Sequence, residues 1–325
     1  MDKIRQTIAD YGSSWSKDIV PHLTSLYDPL QAVANAHHSS TVKVEKALKY
    51  GPDPRQRLDV YYPSAVTPGA PTPSPLPVVV YIHGGAYVAG DTEATPNIYA
   101  NIGNYFASRD HITVLATYRL VYQGAKWPSG AEDVRDALRW VQSTVHRYGG
   151  DKDRVVVMGQ SAGGGHVATA LFLGLLSAEQ NGGEPLVRGT VLLSAALGSD
   201  HHPRTQMFDI MKAYYGTGDS YEMAGRFSPA ALFRSEFFGG AEREPRRELG
   251  CEVLVLWAEW EIEEIMGGNL EFFGDYRRRF GRLPRVEVMR GQNHVSYCLG
   301  LGLEGEEYER VGRRLVEFVR EVTSG

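Results

Sequence analysis

The chain has 325 residues, 42% of them hydrophobic and 22% charged, which provides for a large core and excludes wholesale disorder. A formal net charge of −5 gives no global electrostatic reason to bind nucleic acid or an anionic membrane. Two cysteines, Cys251 and Cys298, are too few for a disulfide framework, and no apolar run approaches the ~18 residues needed to span a bilayer. The opening stretch has no apolar signal core, so a cytoplasmic location is expected.

In chain order, residues 1–40 mix helical patterns with turn residues and read as an N-terminal cap. Thr41–Tyr50 and Leu58–Tyr62 alternate as strands do, around a Gly51-Pro52-Asp53-Pro54 turn. Residues 63–77 form a proline-rich surface loop. Val78–Ile82 is a continuous apolar run, the mark of a parallel strand buried on both faces. A helix near Tyr99–Ser108, a strand at Thr113–Thr117 and an amphipathic helix at Ala131–Tyr148 come next. Strands follow at Val155–Met158, Thr190–Ala196, Val253–Trp257 and Val286–Met289. A helix runs from Ala162 into Leu176, and residues 306–323 form a terminal amphipathic helix. This alternation predicts one open, mostly parallel sheet flanked by helices. The aromatic-rich stretch 198–250 interrupts it just before the strand at 253–257 and reads as a partly helical cap inserted into the domain, with an ordinary surface crossover as the alternative. The basic runs Arg246-Arg247 and Arg277-Arg278-Arg279 have acidic neighbours and read as solvated faces.

Two motifs carry chemistry. Gly159-Gln160-Ser161-Ala162-Gly163 lies between a buried-strand signal and a helix, the context in which a G-x-S-x-G serine is exposed on a sharp turn. Flanking glycines make room for that turn, and the helix N-terminus aims N–H groups at the reacting centre. His83-Gly84-Gly85-Ala86-Tyr87 follows the strand at 78–82. Consecutive glycines let backbone approach a substrate, so N–H groups of Gly84, Gly85 or Ala86, with that of Ala162, are the expected oxyanion-hole donors. His83, inside this turn, is expected to be structural.

A serine nucleophile needs a base, and the base an orienting carboxylate; in this architecture the chain order is serine, acid, histidine. Of the histidines after Ser161, His166 lies in the following helix and His201-His202 lie in the cap. His294 sits in a loop just past the last strand and is the expected base. The loop after Val253–Trp257 holds no aspartate, so the acid is a glutamate: Glu261 is favoured and Glu259 competes. Glu263 and Glu264 read as charges at a helix start. Cys251 reads as a small buried thiol, and Cys298 either lines the site or packs beneath it. Tyr87, Tyr122, Trp127 and the cap aromatics are candidates for a pocket holding apolar or aromatic groups, with Tyr87 and Trp127 the named substrate-binding candidates.

With HGGAY, GQSAGG, AEWE and GQNH in place, the chain resembles α/β-hydrolase-fold serine esterases around the hormone-sensitive lipase and carboxylesterase-like family. Tyr118-Arg119-Leu120, the helix Glu132–Val141 and Tyr148-Gly149-Gly150-Asp151 look especially like the prenylcysteine methylesterase, feruloyl-esterase-like and arylformamidase relatives. The resemblance covers about residues 41–320 and implies the roles already given to Ser161, His294 and Glu261. The chain departs from that pattern in its glutamate, where the family's usual acid is aspartate, and in HGGA, where many relatives have HGGG. The resemblance implies a single α/β-hydrolase domain that cleaves small or medium carboxylic esters through an acyl-enzyme, with no metal or organic cofactor. Amidase or formamidase activity, biosynthetic acyl transfer or lyase chemistry, and a non-catalytic ligand-binding relative are the alternatives. The expected partners are a small-molecule ester and a second copy of the chain in a homodimer, with no nucleic acid.

Overall fold

The computed structural model describes residues 2–72, 74–198, 206–238 and 248–324, with backbone alone at 236–238. His201-His202, Arg246-Arg247 and the side chains of Phe237 and Phe238 lie outside the described residues.

Among the described residues eight strands form one sheet: β1 (Val42–Lys49), β2 (Arg57–Pro63), β3 (Leu76–Ile82), β4 (Ile112–Ala116), β5 (Gly150–Gln160), β6 (Gly189–Leu193), β7 (Glu252–Trp260) and β8 (Arg285–Asn293). The principal helices are α1 (Asp2–Tyr11), α2 (Ile19–Ala36), α3 (Ala100–Ala107), α4 (Ser129–Thr144), α5 (Ala162–Phe172), α6 (Gln206–Tyr215), α7 (Pro229–Phe238), α8 (Glu263–Phe280), α9 (Ser296–Gly300) and α10 (Glu306–Thr323). The sheet order is β1-β2-β4-β3-β5-β6-β7-β8. The pairs β1/β2 and β2/β4 are antiparallel, and all others are parallel. This is the mostly parallel, helix-flanked sheet expected of the α/β-hydrolase fold.

The residue pattern explains the layers. β3 and β4, and the second half of β5, are buried on both faces, which is why they read as unbroken apolar runs and not as alternations. On one face α4, α5, α7 and α8 share a core in which Phe172, Phe233 and Phe272 meet with ring centroids 5.0–5.5 Å apart. On the other, α3 and α10 cover the sheet, and α10 turns Tyr308, Val311, Leu315, Val316 and Val319 inward at helical spacing. All eleven residues of α5 are buried, so this helix has no solvent face. The N-terminal helices form a separate apolar cluster in which Ile4, Ile8, Leu23 and Tyr27 pack on Leu299, Leu303 and Tyr308.

Several boundaries differ from the sequence-based expectation. β6 stops at Leu193 and not at Ala196, because Ser194 takes φ +44° and turns the chain out of the sheet. α5 ends at Phe172 rather than near Leu176, where the chain reaches Gly174 at φ +75°. β7 runs on to Trp260, so Glu259 belongs to the strand and Glu261 directly follows it. Within 198–250, α6 lies beside the candidate site whereas α7 joins the helical layer on the sheet.

Candidate active site

The residues predicted to react occupy equivalent places: Ser161, Glu261 and His294 each follow the last residue of a parallel strand, β5, β7 and β8 respectively. Brought to one edge of the sheet, they form a connected chain. His294 Nδ1–H donates to Glu261 Oε1 at 2.6 Å, and His294 Nε2 lies 2.9 Å from Ser161 Oγ. A carboxylate only accepts, so the Glu261 contact puts the neutral ring's proton on Nδ1 and leaves Nε2 free to accept the serine proton.

Ser161 sits at φ +52°, ψ −118°, a strained conformation for a residue with a Cβ. The neighbouring glycines are required by contact. A Cβ on Gly163 would lie 2.3 Å from the His83 carbonyl oxygen, and one on Gly159 would lie 2.6 Å from that of Gly163. The turn is pinned by the Ser161 N–H donating to Leu193 O, and by Ser161 O accepting from Gly165 and Ala196.

The turn after β3 packs directly on this elbow. Gly85 has φ +130°, and a Cβ there would meet Ala89 O at 2.1 Å. Ala86 and Tyr87 also have positive φ, +50° and +67°. Among the described residues, the N–H groups of Gly84, Gly85, Ala86 and Ala162 have no backbone acceptor, that of Ala162 because it opens α5. His83 is structural: its Nδ1–H donates to Gly84 O at 2.6 Å, its ring stacks on Tyr118, and burial pushes its pKa down to about 4.

The two glutamates separate clearly. Glu261 is 5% exposed and also accepts from the Ala258 and Ile262 N–H groups. Burial pushes its carboxyl up, but the facing His294 imidazole, the hydrogen bond from it and that from the Ile262 N–H outweigh burial and hold it below the ordinary range. Glu259 points elsewhere, accepting from the Gly291 N–H and the Arg290 guanidinium. A shift in pairing between Ala258 and Trp260 on β8 precedes Glu261 and sends the two side chains apart.

Sequence reasoning missed three supports. Gln160, the variable residue of the serine motif, is buried; its Nε2 donates to His294 O at 3.2 Å. Its Oε1 fills the space a Cβ on Gly84 would need, so one amide touches the serine strand, the histidine loop and the glycine turn. An amide buried at an apolar strand end was the available signal, since such a group must find partners. In the histidine loop, Ser296 Oγ donates to Gln292 Oε1 at 2.6 Å and accepts from Asn293 N–H, while Asn293 Oδ1 accepts from Ser296 N–H. The third support is Trp15, whose ring stands at 90° to that of His294, centroids 5.3 Å apart.

Tyr87 and Trp127 lie in an apolar cluster with Ala162, Ile210, Met211, Tyr214 and Met223, beside the N-terminus of α5. Tyr87 stacks on Tyr214, and Trp127 packs on Phe227. Tyr122 is instead 62% exposed, and Phe233 belongs to the core beneath the sheet. Cys298 packs beneath the site, its Sγ 3.5 Å from the Tyr81 hydroxyl, and burial pushes its thiol up to about 12. Cys251 is only half-buried as a residue, although burial also raises its thiol, to about 11. Among the described residues no group of three or more His, Cys, Asp or Glu side chains is arranged to hold a metal ion.

His166 is buried among Tyr87, Tyr118 and Tyr214, and burial pushes its pKa down to about 3. As pH falls below about 6.5 the unfolded chain takes up this proton while the folded chain does not. The folded state should therefore lose about 1.4 kcal/mol per pH unit on His166's account until its own low pKa is reached. His166→Phe is expected to flatten the fall in urea-unfolding free energy between about pH 6 and 4. An unchanged slope would show that the ring is hydrated in the folded protein.

Residues 58–222, just over half of the chain, match the BD-FAE family model. The chain belongs to the BD-FAE family. That agrees with the esterase resemblance: HGGAY and GQSAGG fall within the matched residues, while AEWE and GQNH lie beyond them. A probable isoprenylcysteine alpha-carbonyl methylesterase of Arabidopsis thaliana is 29% identical over 276 residues, covering 79% of this chain and 52% of the relative. A para-nitrobenzyl esterase of Bacillus subtilis (strain 168) is 35% identical over 138 residues, 39% of this chain and 27% of the relative. The chain spans about half or less of the length of these relatives. Esterase B from Lactobacillus rhamnosis superposes with a TM-score of 0.65 at 17% identity, covering 95% of this chain and 96% of that one. A Pyrobaculum calidifontis esterase gives 0.63 at 21%, covering 95% and 94%. The BD-FAE chain thus shares its fold with solved esterases. No helix among the described residues is long and apolar enough to cross a membrane.

Proposed function

We propose that this BD-FAE protein is a serine esterase that cleaves carboxylic esters through an acyl-enzyme on Ser161. The observation that carries the reading is the unbroken contact chain from Ser161 Oγ through His294 to Glu261, hung from the ends of three parallel strands, β5, β7 and β8. In this reading Ser161 attacks the ester carbonyl as His294 Nε2 takes its proton. The carbonyl oxygen gains charge, and N–H groups of the 84–86 turn and of Ala162 stabilise it; one such donor contributes about 2.7–4 kcal/mol. His294 then protonates the departing alcohol oxygen, the acyl group stays on Ser161, and water repeats the sequence to release the acid. Glu261 stabilises the imidazolium and fixes its tautomer.

The apolar cluster around Tyr87, Trp127 and Tyr214 supports an acyl site for apolar or aromatic groups. Methyl esters on an apolar carrier are a natural class to test, given the relatives' descriptions. Residues 1–40 and the α6 part of 198–250 act as cap elements on one α/β-hydrolase domain, a division supported by α1, α2 and α6 lying outside the helical layers on the sheet, which α7 joins. The two free thiols suit a reducing cytoplasm, and fractionation tests that placement. A homodimer belongs to the same reading; among the described residues β8 is an outer strand with one unpaired edge, and sedimentation measures the state.

The test is pre-steady-state hydrolysis of p-nitrophenyl acetate, butyrate and octanoate. A nitrophenol burst matching the enzyme concentration supports an acyl-enzyme, and the chain-length profile sizes the acyl site. A folded protein that hydrolyses none of the three overturns the proposal.

A further inference from the structure

Resting on the esterase reading, the geometry points to Trp15 as the residue that selects the alcohol half of the ester. In acyl transfer the base that activates the serine later protonates the leaving oxygen, so the alcohol must depart beside His294 Nε2. The acyl half is assigned to the apolar cluster in which Tyr87 and Ala162 meet α6 and to which neither Trp15 nor His294 belongs. On the His294 side stands the Trp15 ring, 5.3 Å from the imidazole and at 90° to it. Trp15 is 46% exposed, so its contact with His294 leaves ring surface open to another group.

The segment carrying it is anchored. Ile4 and Ile8 of α1 are buried against Leu299 and Leu303, just past the histidine loop, and Arg5 pairs with Glu307 at 2.8 Å. Gly12 lies against the Trp260 ring, next to Glu261. A half-exposed indole held against the base offers a flat apolar wall to a departing aryl or bulky apolar alcohol and little to methanol.

The test compares kcat/KM for methyl butyrate, benzyl butyrate and benzyl acetate in the wild type, Trp15→Ala and Trp15→Phe, followed by acid release. Trp15→Ala should lower the benzyl-to-methyl ratio about two- to twelvefold, the range that aromatic contacts supply. Trp15→Phe should restore most of it, and the butyrate-to-acetate ratio should stay put in both. An unmoved benzyl-to-methyl ratio, an equal fall for both alcohols, or a shift in the acyl ratio instead would overturn the assignment. If Trp15→Ala loses its circular-dichroism signal, Trp15→Leu, which keeps apolar bulk without a ring face, is read by the same ratios. Failure of the esterase reading looks different: the wild type would hydrolyse none of the esters, or Ser161→Ala would hydrolyse them all.

Discussion

Ser161→Ala is expected to lower ester turnover by about 10⁵–10⁶-fold without unfolding the protein, on the scale seen when a triad nucleophile is removed. Alanine keeps the Cβ and the backbone that Ser161 already holds at φ +52°, and removes only the oxygen. The N–H donors at 84–86 and 162 remain, so residual rate above the water reaction should survive through oxyanion binding. Steady-state kcat/KM with p-nitrophenyl butyrate measures the loss, and an unchanged melting temperature shows that chemistry, not folding, was removed. A variant within tenfold of the wild type would move the reaction away from this serine.

The second large effect separates two glutamates two residues apart. Glu261→Gln should reduce kcat by about 10³–10⁴, as loss of the orienting carboxylate does in such triads. The amide can present an N–H to His294 Nδ1. That moves the ring proton to Nε2, where it blocks acceptance from Ser161. It also removes the charge that stabilises the imidazolium. Glu259→Gln changes a side chain bonded to Arg290 and Gly291 and should leave kcat within about threefold, since exposed ion pairs contribute little. The reverse ranking would reassign the acid. Acidification should act on Glu261 in the same direction. Its carboxyl is held below its ordinary value, so its stabilising contribution is present above the unfolded pKa and is lost as pH falls through the folded one.

What the chain discloses by itself follows from where information is local. The terminal helix 306–323 is readable because its apolar period is written in eighteen consecutive residues. The serine elbow is readable because strand, glycines and helix adjoin it. Histidine and acid were placed at strand ends by chain order, and that order holds because parallel strands deliver their following loops to one edge. Less legible was anything fixed by remote contact. The true end of β7 depends on pairing with β8, so a reading that stopped the strand at Trp257 put Glu261 four residues past its end, where the structure has it directly after Trp260. The helix at 263–280 was reduced to two starting charges, because its mixed surface hides the face formed by Phe272, Phe273 and Tyr276. Gln160 reaches His294 across 134 positions of sequence, announced only as an amide at an apolar strand end, and Trp15 reaches it across 279 with no local pattern to announce the meeting.

The backbone at Ser161 carries one more consequence. A residue with a side chain is held where glycine would rest without strain, and the surrounding contacts keep it there. Thermodynamic stability and reactivity therefore favour different residues at this position. A drift of sequences screened for heat resistance alone would tend to discard the hydroxyl, and inactive descendants of this chain could outlast their working ancestor. The strained serine is kept only while its chemistry is being selected.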